Sequence, residues 1–390
     1  MDQGTDRAAG RSAREGDGPP GGLVLASRGD ALTPYLFAAV GRRYDVAAHL
    51  SPELTRIQRL AVAATTFRPR REDWAERFYK SSWAYALRSS NAVRRLERLA
   101  APSTPVLQVH ALFEVAGAPT LLYVDCTHRQ SAEGWAPWNP LAGADLEAWY
   151  ARERAAYRGA EHLFAFSRAT RTSLVEDYGV DPARVSVVGA GVNAHELPAP
   201  AARRAPGSRG PVLLFIGNDF ERKGGHLLLQ AFERVREVHP GARLQLVGTR
   251  PSHLDVPPGV EVLGRVHERA VVHRLYEEAD LFVLPSLFDP FPLVLIEAMA
   301  HGLPVVTSDS CGIPDMLTDG VEGRIGPRGD VDALTDALVR TLADPAAAAA
   351  AGRAGRRRVV EELTWDRVVE RMAPALDLAL GESSRRSPSS

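Results

Sequence analysis

The chain has 390 residues, 45% hydrophobic and 24% charged, a folded-protein composition at a length that exceeds what one hydrophobic core serves, so two domains are expected. Its formal net charge of -1 supplies no general field for a polyanion and argues against nucleic acid as a partner. The two cysteines, Cys126 and Cys311, stand outside any CxxC or Cys/His cluster, which argues against a disulfide framework and a zinc site and fits a reducing, cytoplasmic setting.

Residues 1–21 are rich in Gly, Arg, Asp and Pro, too polar to bury a core and without the apolar run of a signal peptide, so they read as a disordered leader. No apolar run approaches the roughly 20 residues that cross a bilayer, so any membrane contact is peripheral. From Gly22, short β-branched runs alternate with longer amphipathic stretches, the pattern of parallel strands with crossover helices. Candidate strands of a first Rossmann-like unit (22–196) are 23–27, 44–49, 105–110, 120–125, 162–167 and 184–189. Within it, residues 67–98 carry nine Lys or Arg, four acids and six aromatic rings; aromatics packed inward with arginines outward is the favoured arrangement, and docking on a membrane surface the minority one.

A Pro, Ala and Arg-rich linker (197–211) precedes a second Rossmann-like unit (212–363), with strands at 212–217, 243–248, 260–264, 281–285 and 304–308. A C-terminal helix (364–381) is expected to cross back onto the first unit, followed by a loose polar tail (382–390). Two doubly wound parallel sheets imply an α/β protein with a cleft between them, and such sheets bind ligands at the carboxyl ends of their strands.

Two segments carry the chemistry. FIGNDFERKGG (215–225) ends a strand and places Arg222 and Lys223 where a helix opens, an arrangement suited to a diphosphate, although such a string taken alone is more often two solvated surface cations. LFVLPSLFDPFPLVLIEAMAHGLPVV (281–306) sets Asp289 before, and Glu297 within, a helix that starts near Pro292. A carboxylate on so apolar a helix rarely persists without a partner, and Glu297 is suited to accept from both hydroxyls of a ribose.

With both segments, the chain resembles family 4 of the retaining glycosyltransferases (glycosyl transferases group 1) across residues 160–345. The resemblance implies the GT-B fold, a nucleoside-diphosphate sugar as donor, a glycan, lipid or small-molecule acceptor, retention at the anomeric carbon, and neither cofactor nor metal. The family's signature of two glutamates separated by seven residues falls on Asp289 and Glu297. Glu297 would then bind the ribose, and Asp289, shorter than the family's acid, would stand at the donor sugar. Phe291, Pro292 and Leu293 would line sugar and diphosphate. Lys223 matches the family's diphosphate lysine. Asn218 replaces the arginine that commonly follows the strand-ending Gly217, so its duty passes to Arg222. Val266 and His267 match residues that border the base, and Gly29 is what remains of the family's glycine-rich turn facing the donor phosphates. Asp125 occupies the place of a histidine that faces the donor sugar; orienting a sugar and capping a strand stand level as its roles. Trp135, Trp138 and Trp149 are as compatible with core packing as with stacking on sugars. An epimerase or phosphorylase of the same fold, and a non-catalytic sugar-nucleotide-binding homologue, stay open as alternatives.

Overall fold

The computed structural model describes residues 22–69, 71–194, 196–199, 210–248 and 256–386; the leader (1–21), most of the linker and the last four residues lie outside these. The first sheet contains β1 (Leu23–Ala26), β2 (Val46–Leu50), β3 (Val106–Val109), β4 (Thr120–Val124), β5 (His162–Ala165) and β6 (Val185–Val187), all parallel in the order β2-β1-β3-β4-β5-β6. The second contains β7 (Val212–Ile216), β8 (Arg243–Val247), β9 (Val260–Gly264), β10 (Leu281–Leu284), β11 (Val305–Ser308) and β12 (Gly323–Gly326), parallel in the order β12-β11-β10-β7-β8-β9. β1, β3 and β10 are buried along their whole length, because crossover helices cover both sheet faces. The strand order reverses between β1 and β3 in the first sheet and between β7 and β10 in the second. At each reversal the flanking connections leave toward opposite faces and open a crevice at the carboxyl ends.

The strand β12 was not expected. Its residues, GRIG, contain a single apolar side chain, and what makes them a strand is register against β11, with Val305 opposite Gly323 and Ser308 opposite Gly326. The C-terminal helix runs Trp365–Arg386, so the expected loose tail is helical through residue 386. It buries Val368, Val369, Met372 and Leu376 and packs on the helix Thr33–Arg43 of the first unit, where Tyr44 Oη donates to Asp377 at 2.8 Å. Asn193 fastens the crossing: its Oδ1 accepts from Trp365 Nε1 at 3.1 Å and its Nδ2 donates to Ala31 O at 3.3 Å, a pair of duties that needs both the donor and the acceptor of an amide. A Cβ on neighbouring Gly191 would lie 2.3 Å from the Trp365 amide nitrogen. Gly191→Ala is therefore expected to destabilise the protein by about 1–3 kcal/mol, read as a lower denaturation midpoint; an unchanged midpoint would contradict this packing.

The arginine-rich segment also differs from expectation. Tyr85 is buried, yet Phe67 is 59% and Trp83 44% exposed, while Arg88 is only 1% exposed. The buried guanidinium finds the Tyr79 carbonyl at 2.9 Å and the Tyr79 ring at 5.7 Å, contacts that replace part of its water. Ser167 is an N-cap: it accepts from the Thr170 amide at 3.1 Å and opens the helix Arg168–Glu176.

Candidate active site

At the β7/β10 reversal the two strand-end loops touch. Gly224 takes φ 72°, and a Cβ there would lie 2.0 Å from the Pro285 carbonyl oxygen, so only glycine lets the β7 loop lie against the β10 loop. A Cβ on Gly217 would meet Lys223 Cδ at 2.4 Å, so that glycine makes room for the lysine stem. Lys223 Nζ donates to Asp289 Oδ2 at 2.8 Å, and Arg222 Nη1 stands 3.4 Å from the same oxygen. Arg222 also donates from Nε to Asp219 Oδ2 at 3.1 Å and from Nη1 to Phe288 O at 2.8 Å. All three of Arg222, Lys223 and Asp289 are at most 7% exposed. Charges this deep persist because each meets an opposite charge, and the cluster of two cations with Asp219 and Asp289 is locally neutral. Asn218, beside it, is exposed and makes none of these contacts.

Glu297 lines a second feature, a cavity of about 190 Å³ bordered by His267, Arg269, His273, Tyr276, Val192, Ala194 and Pro198. Tyr276 Oη donates to Glu297 Oε2 at 3.2 Å. Burial raises the Glu297 pKa, opposed by the Arg269 charge and the tyrosine bond. Behind it, His301 Nδ1 donates to the Glu297 carbonyl at 2.7 Å, which leaves its Nε2 to accept from His273 Nδ1 at 2.9 Å. The expected base-site residues divide: His267 is exposed on the cavity wall, whereas Val266 is half-buried against the core. Pro292 is the N-cap of the helix Leu293–Ala300, so Pro292 and Leu293 set the angle at which Glu297 is presented. Phe291 is 7% exposed and meets Phe166 of the first unit edge-on at 5.9 Å.

The first sheet contributes a group that its sequence did not announce. His110, at the end of β3, takes φ 60° and bridges two carboxylates, Asp30 Oδ2 at 3.0 Å and Asp125 Oδ1 at 3.1 Å. Burial would lower its pKa, but the Asp125 charge and the bonds to both acids push it up to about 10. Asp30, despite burial, is held down to about 2 by His110 and Thr33. The imidazolium therefore stabilises the fold in full below its ordinary value of 6.5 and loses that contribution as pH rises through about 10. Wild-type melting temperature is expected to fall more steeply between pH 7 and 10 than that of His110→Asn; parallel profiles would contradict a charged bridge. The Asp125 Oδ1 also accepts from the Cys126 amide at 2.7 Å, so the histidine and amide contacts fall on the same carboxylate oxygen. Gly29 has φ 83° as its turn requires, but its amide donates to Ser27 Oγ at 2.9 Å rather than standing free for phosphate.

Contacts across the cleft bring the two crevices together. Trp138 lies under the Arg222 guanidinium at 4.4 Å and meets Phe288 edge-on at 5.7 Å, while Trp149 is 2% exposed in the first unit's core. Lys80 Nζ donates to the Trp138 carbonyl at 2.6 Å, and Arg168 pairs with Asp315.

Residues 210–344, which hold the Lys223 cluster and Glu297, match the family described as Glycosyl transferases group 1. Over 272 residues the chain is 30% identical to the alpha-maltose-1-phosphate synthase of Mycolicibacterium smegmatis, covering 62% of this chain and 69% of that protein. The chain belongs to the glycosyl transferases group 1 family. The glycogen synthase of Mycobacterium tuberculosis is 30% identical over 270 residues, 66% of this chain; the chain spans 63% of that relative's length. Among solved structures, sucrose-phosphate synthase from Thermosynechococcus elongatus superposes with a TM-score of 0.70 at 17% identity, over 93% of this chain and 100% of that one. WaaG, a glycosyltransferase involved in lipopolysaccharide biosynthesis, gives 0.64 at 15% identity, over 92% and 100%. These likenesses establish the GT-B fold.

Within that family, the chain departs from the signature at one of its two acids. The acid at the first signature position, Asp289, is turned onto Lys223 and Arg222. The second acid, Glu297, keeps the family's residue and opens on the cavity.

Proposed function

We propose that this group 1 glycosyltransferase moves a sugar from a nucleoside-diphosphate donor to an acceptor hydroxyl, with retention at the anomeric carbon and without a divalent metal. The observation that carries this reading is the pairing, at one strand-order reversal, of a buried Lys223 cluster with a cavity lined by Glu297. Glu297 accepts from the ribose hydroxyls and the base lies toward His267. The diphosphate takes the place of Asp289 on Lys223, which frees that carboxylate for the donor sugar. Negative charge grows on the departing diphosphate as the sugar–oxygen bond breaks, and the preorganised cations stabilise it there. The acceptor oxygen bonds to the anomeric carbon on the same face, and its proton leaves on the diphosphate. His110, already protonated, is unable to serve as the base; it fixes Asp125, whose carboxylate orients a hydroxyl.

The curated relatives are named as synthases of glycogen and of alpha-maltose-1-phosphate, which supports sugar transfer as the reaction class. We place the protein in the cytoplasm, a reading that its two unbridged cysteines support. No described helix is long and apolar enough to cross a membrane. Peripheral contact with an anionic membrane is favoured by the helix Arg56–Thr66, where Ile57 and Leu60 are 81% and 64% exposed beside Arg56 and Arg59.

The test is release of nucleoside diphosphate from a panel of nucleotide sugars, with and without acceptors. Turnover of at least one donor is expected, and turnover of none would overturn the reading. Because Lys223 and Arg222 meet the leaving-group charge, the rate is expected to survive EDTA. Loss in EDTA with recovery in magnesium or manganese would show that a metal carries that charge.

A further inference from the structure

Arg222 belongs to the second unit, but part of what buries it comes from the first. The indole of Trp138 lies 4.4 Å from the guanidinium and meets the Phe288 ring edge-on at 5.7 Å. Trp138 ends the short turn Ala136–Trp138, which directly follows the helix His128–Gly134. Three bonds hold it there. The Trp138 amide donates to the Trp135 carbonyl at 3.1 Å, Asn139 Nδ2 donates to the same carbonyl at 3.3 Å, and Lys80 Nζ donates to the Trp138 carbonyl at 2.6 Å. The preceding helix is itself seated on the second unit: a Cβ on Gly134 would lie 2.2 Å from Phe288 Cδ2, so a glycine lets the helix end close on that ring. Phe288 therefore faces both ways, its ring toward the first unit and its carbonyl accepting from Arg222 Nη1 at 2.8 Å.

A guanidinium bonds to oxygens through the N–H groups in its plane and stacks through its faces. Asp219 and the Phe288 carbonyl take bonds from the edge of Arg222, whereas the indole covers a face, so it keeps water off the cation without using a donor. Asp219 and Asp289 already balance the charge of Arg222, which leaves the ring no part in pairing it. We propose that Trp138 is a positioning residue of the transfer reaction: it dehydrates and aligns Arg222 from the opposite unit, so that the leaving-group cation is complete only when the two units meet. A cation shielded from water acts more strongly on charge that develops beside it, and the charge on a departing diphosphate is greatest in the transition state. Removing the ring therefore slows the chemical step more than it weakens donor binding. This inference rests on the sugar-transfer reading, and its test separates the two.

The test is a double-mutant cycle on the full chain, read as steady-state release of nucleoside diphosphate from a donor that wild type turns over. The variants are Trp138→Leu, Trp138→Phe, Arg222→Gln and the double variant Trp138→Leu with Arg222→Gln; circular dichroism checks the fold of each. Leucine fills much of the space without a π face, so the variant tests the ring and not the packing, and Trp138→Phe keeps a ring that attracts a cation less strongly. Trp138→Leu is expected to lower kcat by about tenfold or more with a donor KM changed by less than about threefold, and Trp138→Phe to recover part of the rate. In the Arg222→Gln background, which has no cation for the ring to act on, Trp138→Leu is expected to change kcat by less than about threefold. Equal losses in both backgrounds, a wild-type kcat in Trp138→Leu, or a raised KM at unchanged kcat would overturn the proposal. Should Trp138→Leu unfold, Trp138→Phe carries the cycle, and a loss of rate in it that persists with Arg222→Gln would overturn the proposal in the same way. Wild type that turns over no donor removes the sugar-transfer reading and this role with it; wild-type turnover with additive losses removes this role alone.

Discussion

Lys223→Ala is expected to lower kcat/KM for the donor by about 10²- to 10³-fold, the loss typical when one preorganised donor to a developing negative charge is removed. Two effects have to be separated. Lys223 Nζ is 2.8 Å from Asp289 Oδ2, and both groups are buried, so the single variant also leaves a carboxylate with only Arg222 at 3.4 Å. Breaking a buried pair from one side destabilises by about 3–5 kcal/mol when no other partner remains, and Arg222 should hold the cost below that. The double variant Lys223→Ala with Asp289→Asn removes the orphaned charge. It is expected to recover stability and to stay slow. Recovery of the rate in the double variant would mean that Lys223 serves only to neutralise Asp289.

Glu297→Gln is expected to raise the donor KM by about 10- to 100-fold with a smaller fall in kcat. Hydrogen bonds to a charged partner contribute roughly 1.5–3 kcal/mol, and the ribose is remote from the bond that breaks, so ground state and transition state lose nearly the same grip. Glutamine preserves the volume and an oxygen for the Tyr276 hydroxyl, now 3.2 Å from Oε2, so packing changes little. A folded variant with wild-type donor kinetics would make Glu297 a structural carboxylate whose partners are Tyr276 and Arg269.

The parts of this arrangement legible in the sequence are those encoded locally. Apolar strand runs alternating with amphipathic helices announce two doubly wound sheets, and Asp289 and Glu297 are legible as two acids set around a proline-led helix start. What local pattern does not carry is pairing across distance. β12 is a strand only because β11 lies beside it. His110 reads as the last residue of a strand, since its two acids, Asp30 and Asp125, come from the ends of β1 and β4. Arg222 and Lys223 were legible as cations but not as cations already satisfied by Asp219 and Asp289. The three tryptophans divide only in three dimensions, where Trp149 enters the core and Trp138 crosses to Arg222. A signal was present for His110: a histidine closing one strand of a parallel sheet, with an aspartate closing the next, places two titratable groups at the same edge.

The most direct measurement is a calorimetric titration of nucleoside-diphosphate sugars into wild type, Lys223→Ala and Glu297→Gln. The account predicts saturable binding of at least one donor to wild type, weakened at least tenfold in each variant. Binding of no donor, or binding left unchanged by both substitutions, would contradict a nucleotide-sugar site at the β7/β10 reversal.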